Sequence, residues 1–305
     1  SESFVKVLQL AQQVNVLQFG QITVAVDGTK VLANASKHSA VSYERAGQLI
    51  EQLELEVKQL VAKAEQADSA PLQDGLTIPQ EIARRQERQA ALAKARAEIE
   101  ARAQARYAVE LAEHEKKLVE RAAKAERGEK VGGKPPQAPT PEPGPADQYN
   151  FTDPESRIMK AGNGNHFEQS YNAQAAVEVE SRLIAGERVS QSPNDKQELV
   201  ADLQAIPPQA GSIKAVLIDS GFYSESAVRT VEQTAQGRAI GTTVYAAMER
   251  KSHHRGVADL EKKEEPSAPA AGARLSEVMK HRLATRAGKQ KYKLRQQTVE
   301  PVFGI

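Results

Sequence analysis

Two aspartates follow apolar, strand-like segments of the chain at the point where each segment ends. Asp27 follows VAV at residues 24–26 and Asp219 follows VLI at residues 216–218, and a glycine-containing turn comes after each aspartate. If the segments are neighbouring parallel strands, their carboxyl ends meet at one edge of a sheet and the two carboxylates lie close together. Adjacent carboxylates repel unless a cation neutralises them, and oxygen ligands of this kind favour Mg²⁺. The pattern indicates a metal-dependent site, although aspartate is also a common residue at the start of an ordinary turn.

A third acidic residue, Glu300, stands where a helix is expected to break. It ends a basic segment of helical composition, and Pro301 follows it directly. Proline lacks the N–H that would continue the helix, and it disfavours helical geometry at the residue before it. Because Val299, Val302 and Phe303 flank it, Glu300 is not a typical solvent-facing glutamate. We expect the helix to kink or restart at Glu300.

The elements that would position these acids have the order of a mixed α/β layer. Apolar alternation and turn residues predict strands at residues 22–26, 171–179, 182–190, 214–219 and 238–246. Helices are predicted at residues 195–205, 224–236 and 275–299, with Asp195 interpreted as a helix cap. Successive strands followed by strand–helix alternation favour a mixed sheet over a doubly wound parallel one.

Two kinds of segment interrupt this layer. Residues 44–127 are rich in Ala, Glu, Lys, Arg and Gln, and their first half carries an apolar heptad seam that predicts an antiparallel, coiled-coil-like helical hairpin inserted after the first strand. Residues 128–150 are a Pro/Gly-rich linker, expected to stay outside any packed core, and residues 249–272 are a polar insert. The N-terminal helix and first strand then occupy residues 1–43, and the remainder of the α/β domain occupies residues 151–305.

The composition excludes several classes of protein. Hydrophobic residues make up 40% of the 305 residues and aromatic residues 4%, and no apolar run approaches the roughly 18 residues of a membrane-spanning helix. Without cysteine, the chain has no disulfides and no thiolate ligands or nucleophiles. A net charge of +1 means that affinity for nucleic acid must come from a local patch. We expect a cytoplasmic protein that makes no membrane contact.

Three blocks of sequence together resemble the bacterial insertion-sequence DDE transposases, in the branch whose last acidic residue lies in a Tyr-Arg-Glu-Lys helix. The first block is residues 24–36 (VAVDGTKVLANAS). The second joins residues 152–160 (TDPESRIMK) and 171–177 (YNAQAAV), and the third pairs residues 216–224 (VLIDSGFYS) with residues 299–304 (VEPVFG). Any one block alone is a weak signal. Their order, with a charged helical segment between the first and the second, makes the resemblance specific.

The resemblance implies a ribonuclease H-like fold with Asp27, Asp219 and Glu300 as its catalytic acids. In that family the acids hold two Mg²⁺ ions, for which Mn²⁺ can substitute, and these activate water and then a DNA 3′-hydroxyl for in-line attack on phosphodiesters. The implied partners are the terminal inverted repeats of a transposon and a target DNA, bound by a homodimer. Such chemistry needs charge neutralisation and positioning but no covalent nucleophile, in agreement with the residue types present.

A basic segment before Glu300 supplies candidate contacts to DNA. It contains Lys289, Lys291, Tyr292 and Arg295, and the first block of the resemblance adds Lys30. By itself such a segment is commonly a solvated helix face. Beside an acidic metal site it is better interpreted as a track for the phosphate backbone.

Three features depart from the family pattern. The family has its arginine four residues and its tyrosine seven residues before the glutamate, whereas Arg295 stands five and Tyr292 eight residues before Glu300. Five residues turn about 140° around a regular helix, so Arg295 shares a face with Glu300 only if the backbone is irregular. The family's lysine would fall after Ile305, and its N-terminal DNA-binding region is not recognisable. We therefore expect a chain truncated at both ends.

Two other functions stay open on the sequence alone. If the shortened C-terminal helix leaves the metal site unable to close, the chain would be an inactive, transposase-derived scaffold that binds DNA or forms a coiled coil. If the site cuts DNA without joining ends, the chain would be a ribonuclease H-like nuclease.

Overall fold

Two compact units make up the chain in a computed structural model. The structure describes residues 2–14, 20–66, 77–128, 131, 133–160, 166–234, 237–248 and 265–304. Unit 1 combines Ser1–Ala33 with Met159–Ile305, and unit 2 is Asn34–Ile158. Unit 1 contains every predicted site residue. Most of the predicted polar insert at residues 249–272 lies outside the described residues.

Strands and helices are numbered here in chain order. The strands are β1 (Gln21–Leu32), β2 (Ala40–Ser42), β3 (Gln148–Asn150), β4 (Arg157–Lys160), β5 (Phe167–Glu178), β6 (Ile184–Ser190), β7 (Ser212–Ile218) and β8 (Thr243–Ala246). The helices are α1 (Glu2–Gln13), α2 (Tyr43–Gln66), α3 (Ile78–Glu126), α4 (Leu199–Gln204), α5 (Glu225–Glu232), α6 (Leu275–Ala284), α7 (Arg286–Thr298) and α8 (Glu300–Phe303). None of the helices within the described ranges is both long and apolar enough to cross a membrane.

The two strands that carry the aspartates lie side by side in a six-stranded sheet. The sheet has the order β4-β5-β1-β7-β8, and β6 also pairs with β5. β1 is antiparallel to β5 and parallel to β7, β5 is antiparallel to β6, and β7 is parallel to β8. Antiparallel pairing in one half and parallel pairing in the other confirm the predicted mixed α/β layer. β8 is shorter than the strand predicted at residues 238–246.

Alternate residues of the central strands pack into two separate cores. Val24 and Val216 belong to a core formed with α1, α4, α5 and α6, whereas Ala25 and Leu217 pack with α7 and α8 around Val299. Because successive side chains of a strand point to opposite faces, Asp27 continues the row of Ala25 on the α7 side. Burial on both faces explains why these strands are nearly continuous apolar runs.

The helix predicted at residues 275–299 is divided at Thr285 into α6 and α7. Thr285 has extended backbone angles (φ −64°, ψ 156°), and its hydroxyl accepts a hydrogen bond from the Gly288 N–H at 3.0 Å. A Cβ atom at position 288 would collide with the carbonyl oxygen of Arg282, so this close approach requires glycine. The capped turn gives α7 its own direction across the sheet, and α7 carries Arg295.

Unit 2 is a helical hairpin with a small sheet at its base. Arg85 of α3 bonds Glu56 of α2 at 2.9 Å, and the Tyr43 hydroxyl at the start of α2 bonds Glu100 at 2.7 Å. The helices are antiparallel, because the earlier residue of α2 contacts the later residue of α3. β2 and β3 pair beside them, and a small apolar core that includes Leu92 holds the unit together. The helices have the pairing that the heptad seam predicts, while their status as an insertion stays a prediction.

The proline-rich segment after α3 lies along that helix. The Arg121 guanidinium donates to the Gly133 carbonyl oxygen at 2.8 Å, and the Gln104 amide donates to the Pro141 carbonyl oxygen at 3.4 Å. The segment runs antiparallel to the helix, since a later residue of the segment meets an earlier residue of α3. A segment expected to stay outside any packed core therefore covers the half of α3 that extends beyond α2.

Candidate active site

Asp27 and Asp219 occupy equivalent positions on neighbouring parallel strands. In the pairing of β1 with β7, Ala25 is opposite Leu217. The same register, continued by two residues on each strand, brings Asp27 opposite Asp219. Strands are about 4.8 Å apart and alternate residues share a face, so both carboxylates lie on the α7 side of the sheet. The structure thus brings together the two aspartates whose matched positions the sequence shows.

Backbone N–H groups hold both carboxylates, from the turn after Asp219 and from within β1 after Asp27. The turn predicted after Asp27 is wrong, because β1 continues to Leu32 in its pairing with β5. Asp27 Oδ1 accepts a hydrogen bond from the Gly28 N–H at 3.0 Å. Asp219 Oδ1 accepts from the backbone N–H groups of Gly221 at 2.7 Å and Phe222 at 3.2 Å. Asp219 therefore does stabilise the turn that follows it. The same hydrogen bonds orient its carboxylate, so the turn is compatible with a role of Asp219 in a metal site.

Glu300 is connected to the same place through Arg295. The Nη2 atom of Arg295 lies 2.6 Å from Asp27 Oδ2, and its Nη1 atom lies 3.5 Å from Glu300 Oε1. The regular helix ends before Val299, and a new short helix begins at Glu300 with Pro301 in its first turn. This break, which the proline predicts, lets two residues meet that a regular helix would separate by about 140°.

Burial has the largest effect on the electrostatics of Asp27. Desolvation raises the pKa of Asp27, Arg295 and the Gly28 N–H lower it, and the carboxylates of Asp219 and Asp195 raise it further. The net result is a pKa above the ordinary value of 3.8. The charged form of this carboxylate is thus disfavoured where it lies and would be stabilised by more positive charge nearby.

The oxygen atoms around Arg295 suit a hard divalent cation. Asp27 and Glu300 each direct one carboxylate oxygen to the guanidinium, and Asp219 is close enough to affect the pKa of Asp27. The positively charged guanidinium therefore lies among carboxylates. Carboxylates are also the ligands that Mg²⁺ prefers. In this arrangement no three His, Cys, Asp or Glu side chains among the described residues are gathered closely enough to hold a metal ion. The residues fit a divalent cation in kind, and Arg295 contacts two of the three acids.

The basic residues predicted to contact DNA have different surroundings. Lys289 is exposed and Lys291 half-buried on α7. Lys30 lies 3.5 Å from Asp195 Oδ1 with its side chain 18% exposed. The side chain of Arg295 is only 9% exposed and is paired with two carboxylates. Lys289 and Lys291 therefore present charge at the surface, whereas Lys30 and Arg295 pair with acids of the same unit.

Tyr292, the fifth predicted DNA contact, belongs to the wall of the site. Burial raises the pKa of Tyr292, Arg295 lowers it, and Asp219 raises it. The Tyr292 hydroxyl also hydrogen-bonds the backbone of Ala247. Tyr292 is therefore half-buried close to Ala247, which follows β8, and near enough to both aspartates for them to affect its pKa.

A polar network lies beside Gly28, on the face of the sheet opposite to Asp27. The sequence patterns did not identify it. Asp195 Oδ1 accepts hydrogen bonds from Asn172 Nδ2 at 2.6 Å and from Gln174 Nε2 at 2.9 Å, and both amides are buried. The Gln174 side chain packs against Gly28, where a Cβ atom would collide with it. The interpretation of Asp195 as a helix cap is wrong, because Asn194 is the cap of that turn.

We expect replacement of Asp195 by alanine to lower the free energy of unfolding by about 2–3 kcal/mol, because two buried amides lose a charged acceptor. Lys30→Met, which removes only the longer ion pair with Asp195, is expected to cost less than about 1 kcal/mol. Urea unfolding of the two variants measures both values. Equal losses would show that the ion pair, and not the amide network, explains the stability that Asp195 provides.

A second acidic group on this face is almost fully buried. The Asp202 side chain is 2% exposed and accepts a hydrogen bond from Arg188 Nε at 3.0 Å, while Glu198 pairs with the same guanidinium. Burial raises the pKa of Asp202 to about 6, although Arg188 lowers it. The carboxylates of Glu198 and Asp195 add to the rise.

This shift makes the stability of unit 1 depend on pH. The folded-state pKa of Asp202 lies above its ordinary value of 3.8, so its contribution is fully present below about pH 4 and is lost as the pH rises through about 6. Between pH 4.5 and 7 we expect the wild-type protein to lose about 2 kcal/mol relative to Asp202→Asn. Urea unfolding of both proteins at the two pH values measures this change. A difference between them that does not vary with pH would contradict the prediction.

A comparison with protein-family models matches residues 137–305 to the family described as Transposase DDE domain. This range is more than half of the 305 residues, and it includes Asp219, Arg295 and Glu300. Asp27 precedes it, on the strand paired with β7. No curated protein and no solved structure matches the chain. The matched range and the order of the acidic residues agree, and the chain belongs to the transposases with a DDE domain.

Proposed function

We propose that the protein cleaves DNA strands at transposon ends in a metal-dependent reaction and transfers the freed 3′ ends to a target DNA. The observation that carries this proposal is the meeting of acids from three elements: Asp27 and Asp219 at equivalent positions of β1 and β7, and Glu300 joined to Asp27 through Arg295. Phosphoryl transfer depends on positioning and charge neutralisation, and such a set of acids provides both once it holds metal.

Asp27, Asp219 and Glu300 would hold Mg²⁺, with Mn²⁺ as an alternative. When bound, the ion would activate water or a 3′-hydroxyl and stabilise the leaving oxygen of the phosphodiester. The backbone N–H groups of Gly221 and Phe222 fix one oxygen of Asp219, so this carboxylate is oriented before metal binds. The rigid β1–β7 pair fixes the separation of the two aspartates, and Glu300 lies on the short α8 beyond a backbone break.

We further propose that unit 1 is a ribonuclease H-like catalytic domain. Three antiparallel strands followed in the chain by two parallel ones, with helices on both faces, support this assignment. The helical hairpin of residues 44–127 and the proline-rich residues 128–150 would then be an insertion after the first strand. They leave the sheet after β1 and return before β5.

The proposed partners are the terminal inverted repeats of a bacterial transposon and a target DNA, in the cytoplasm where both are found. We propose that a homodimer bridges the two ends. The exposed Lys289 and the half-buried Lys291 on α7 support contact with the phosphate backbone near the acids. Phosphate contacts of this kind supply affinity without sequence preference.

A plasmid assay tests the proposed reaction. The protein is incubated with a plasmid that carries the DNA flanking its gene on both sides, with a second plasmid as target, in Mg²⁺, in Mn²⁺ or in EDTA. Metal-dependent cleavage with covalent joining to the second plasmid supports a transposase. Cleavage without joining would identify a nuclease, and the absence of metal-dependent cleavage would favour an inactive scaffold. Either result overturns the proposal.

The contribution of α7 to DNA binding has a measurable salt dependence. We expect Lys289→Ala and Lys291→Ala together to weaken binding to any duplex and to reduce the slope of log K against log [salt] by about 2, because each phosphate contact contributes about 1. Fluorescence anisotropy with a short labelled duplex at several salt concentrations gives the slope. Lys214→Ala is the control, since Lys214 is exposed on β7 at the end away from Asp219. An unchanged slope in the double variant would remove Lys289 and Lys291 from the interface.

A further inference from the structure

Arg295 makes the contacts that a bound cation would make. Its two terminal nitrogens reach carboxylates on different elements, Asp27 on β1 at 2.6 Å and Glu300 on α8 at 3.5 Å. The side chain of Arg295 is 9% exposed, and the side chain of Asp27 is 20% exposed. Water therefore screens this pair only in part. Through it, one guanidinium connects the sheet to the helix that bears the last acid.

The guanidinium is incompletely satisfied in this position. Arg295 Nε is buried, and it has no hydrogen-bond partner within the part of the chain that the structure describes. The bond to Glu300 is long, and the Glu300 side chain is 52% exposed. A buried donor without a partner costs free energy. Arg295 thus keeps one unmet hydrogen-bond donor and one long contact where it lies.

We propose that Arg295 is an internal counter-cation, a positioning residue that holds Asp27 and Glu300 until a divalent ion displaces its guanidinium from between them. This inference rests on the proposed function, since it assumes that these acids are the metal ligands. A guanidinium and a divalent ion that contact the same carboxylates lie a few ångströms apart and repel each other. We therefore expect metal binding to break the contacts of Arg295, and the free energy of those contacts is subtracted from the observed affinity.

Isothermal titration with Mn²⁺ alone, without DNA, tests this exchange. We expect Arg295→Gln, which keeps amide donors but removes the charge, to bind Mn²⁺ about tenfold more tightly than wild type, a factor at the low end for a hydrogen bond between charged groups. Arg295→Lys keeps a competing charge and is expected to bind like wild type. Arg282→Gln is the matched control, because Arg282 pairs with Glu232 elsewhere in unit 1 and its loss should leave the affinity unchanged. Urea unfolding confirms that each variant is folded.

The outcomes separate this inference from the proposed function. If wild type binds Mn²⁺ and Arg295→Gln binds it equally or more weakly, Arg295 supports the ligands instead of competing, and the inference is wrong while the metal site stands. If Arg295→Lys gains as much affinity as Arg295→Gln, the charge is not the cause and the inference is also wrong. If neither wild type nor Arg295→Gln binds Mn²⁺, both the inference and the proposed metal site fail. Binding by Arg295→Gln alone would support the inference in its strongest form.

Discussion

Asp219→Asn is expected to lower metal-dependent DNA cleavage by at least about 10³-fold, because several kcal/mol of charge stabilisation disappear with the metal. The substitution preserves the fold, since the asparagine Oδ1 can still accept the backbone N–H groups of Gly221 and Phe222. Only the negative charge is lost. Conversion of supercoiled plasmid to nicked and linear forms, measured as initial rates in Mg²⁺ and in Mn²⁺, gives the ratio to wild type.

Glu225→Gln is the matched control for this measurement. Glu225 is an exposed acid at the start of α5, close to Asp219 in the chain, and it pairs only with Arg229 among the described contacts. It should cleave DNA at the wild-type rate. Asp27→Asn should be as inactive as Asp219→Asn if both aspartates hold the same metal. Activity that survives both aspartate substitutions would contradict the assignment of the acids.

Phe222→Ala is expected to lower the free energy of unfolding by about 3–5 kcal/mol, the largest loss of stability expected in unit 1. Phe222 is 1% exposed and lies in the core that α1, α4, α5 and α6 form against the sheet. Its removal leaves a cavity that the surrounding strands and helices cannot fill. Urea unfolding followed by circular dichroism measures the loss.

The effect should be specific to the buried site. Phe167→Ala deletes the same atoms at a position that is 54% exposed and should change the free energy of unfolding by less than about 1 kcal/mol. Phe222 also donates its N–H to Asp219. Phe222→Leu, which retains most of the volume, should recover stability and cleavage together. Similar losses in Phe222→Ala and Phe167→Ala would show that Phe222 does not have the packing described.

The positions of the three acids in the fold could be predicted from the sequence largely because local rules determine them. An apolar run followed by aspartate is a local pattern, and it locates Asp27 and Asp219 at equivalent positions of two strands, although β1 continues past Asp27 to Leu32 through its pairing with β5. The break at Glu300 is equally local, since Pro301 determines it. Arg295 is different. Its position beside Glu300 depends on how α7 and α8 meet after the break, and spacing on a regular helix argues against the contact.

Tertiary contacts explain what the sequence did not reveal. Asp195 and its neighbour Asn194 are equally good helix caps by residue type, and only the buried amides of Asn172 and Gln174 determine that Asp195 belongs to the network. In YNAQAAV the polar residues of an alternating strand predict a solvent-facing row. Here that row is buried under the Asp195 loop, and its amides bond to a residue distant in the chain.

The proline-rich segment beside α3 matches in length the part of the helix that it contacts. An extended proline-rich chain advances about 3.1 Å per residue and a helix about 1.5 Å, so the stretch from Gly133 to Pro141 and the helix from Gln104 to Arg121 both span about 25 Å. The extended stretch from Gly133 to Pro141 thus covers a helical stretch that contains about twice as many residues. We therefore expect an insertion or deletion in this segment to disturb its contacts with α3 more than a substitution would.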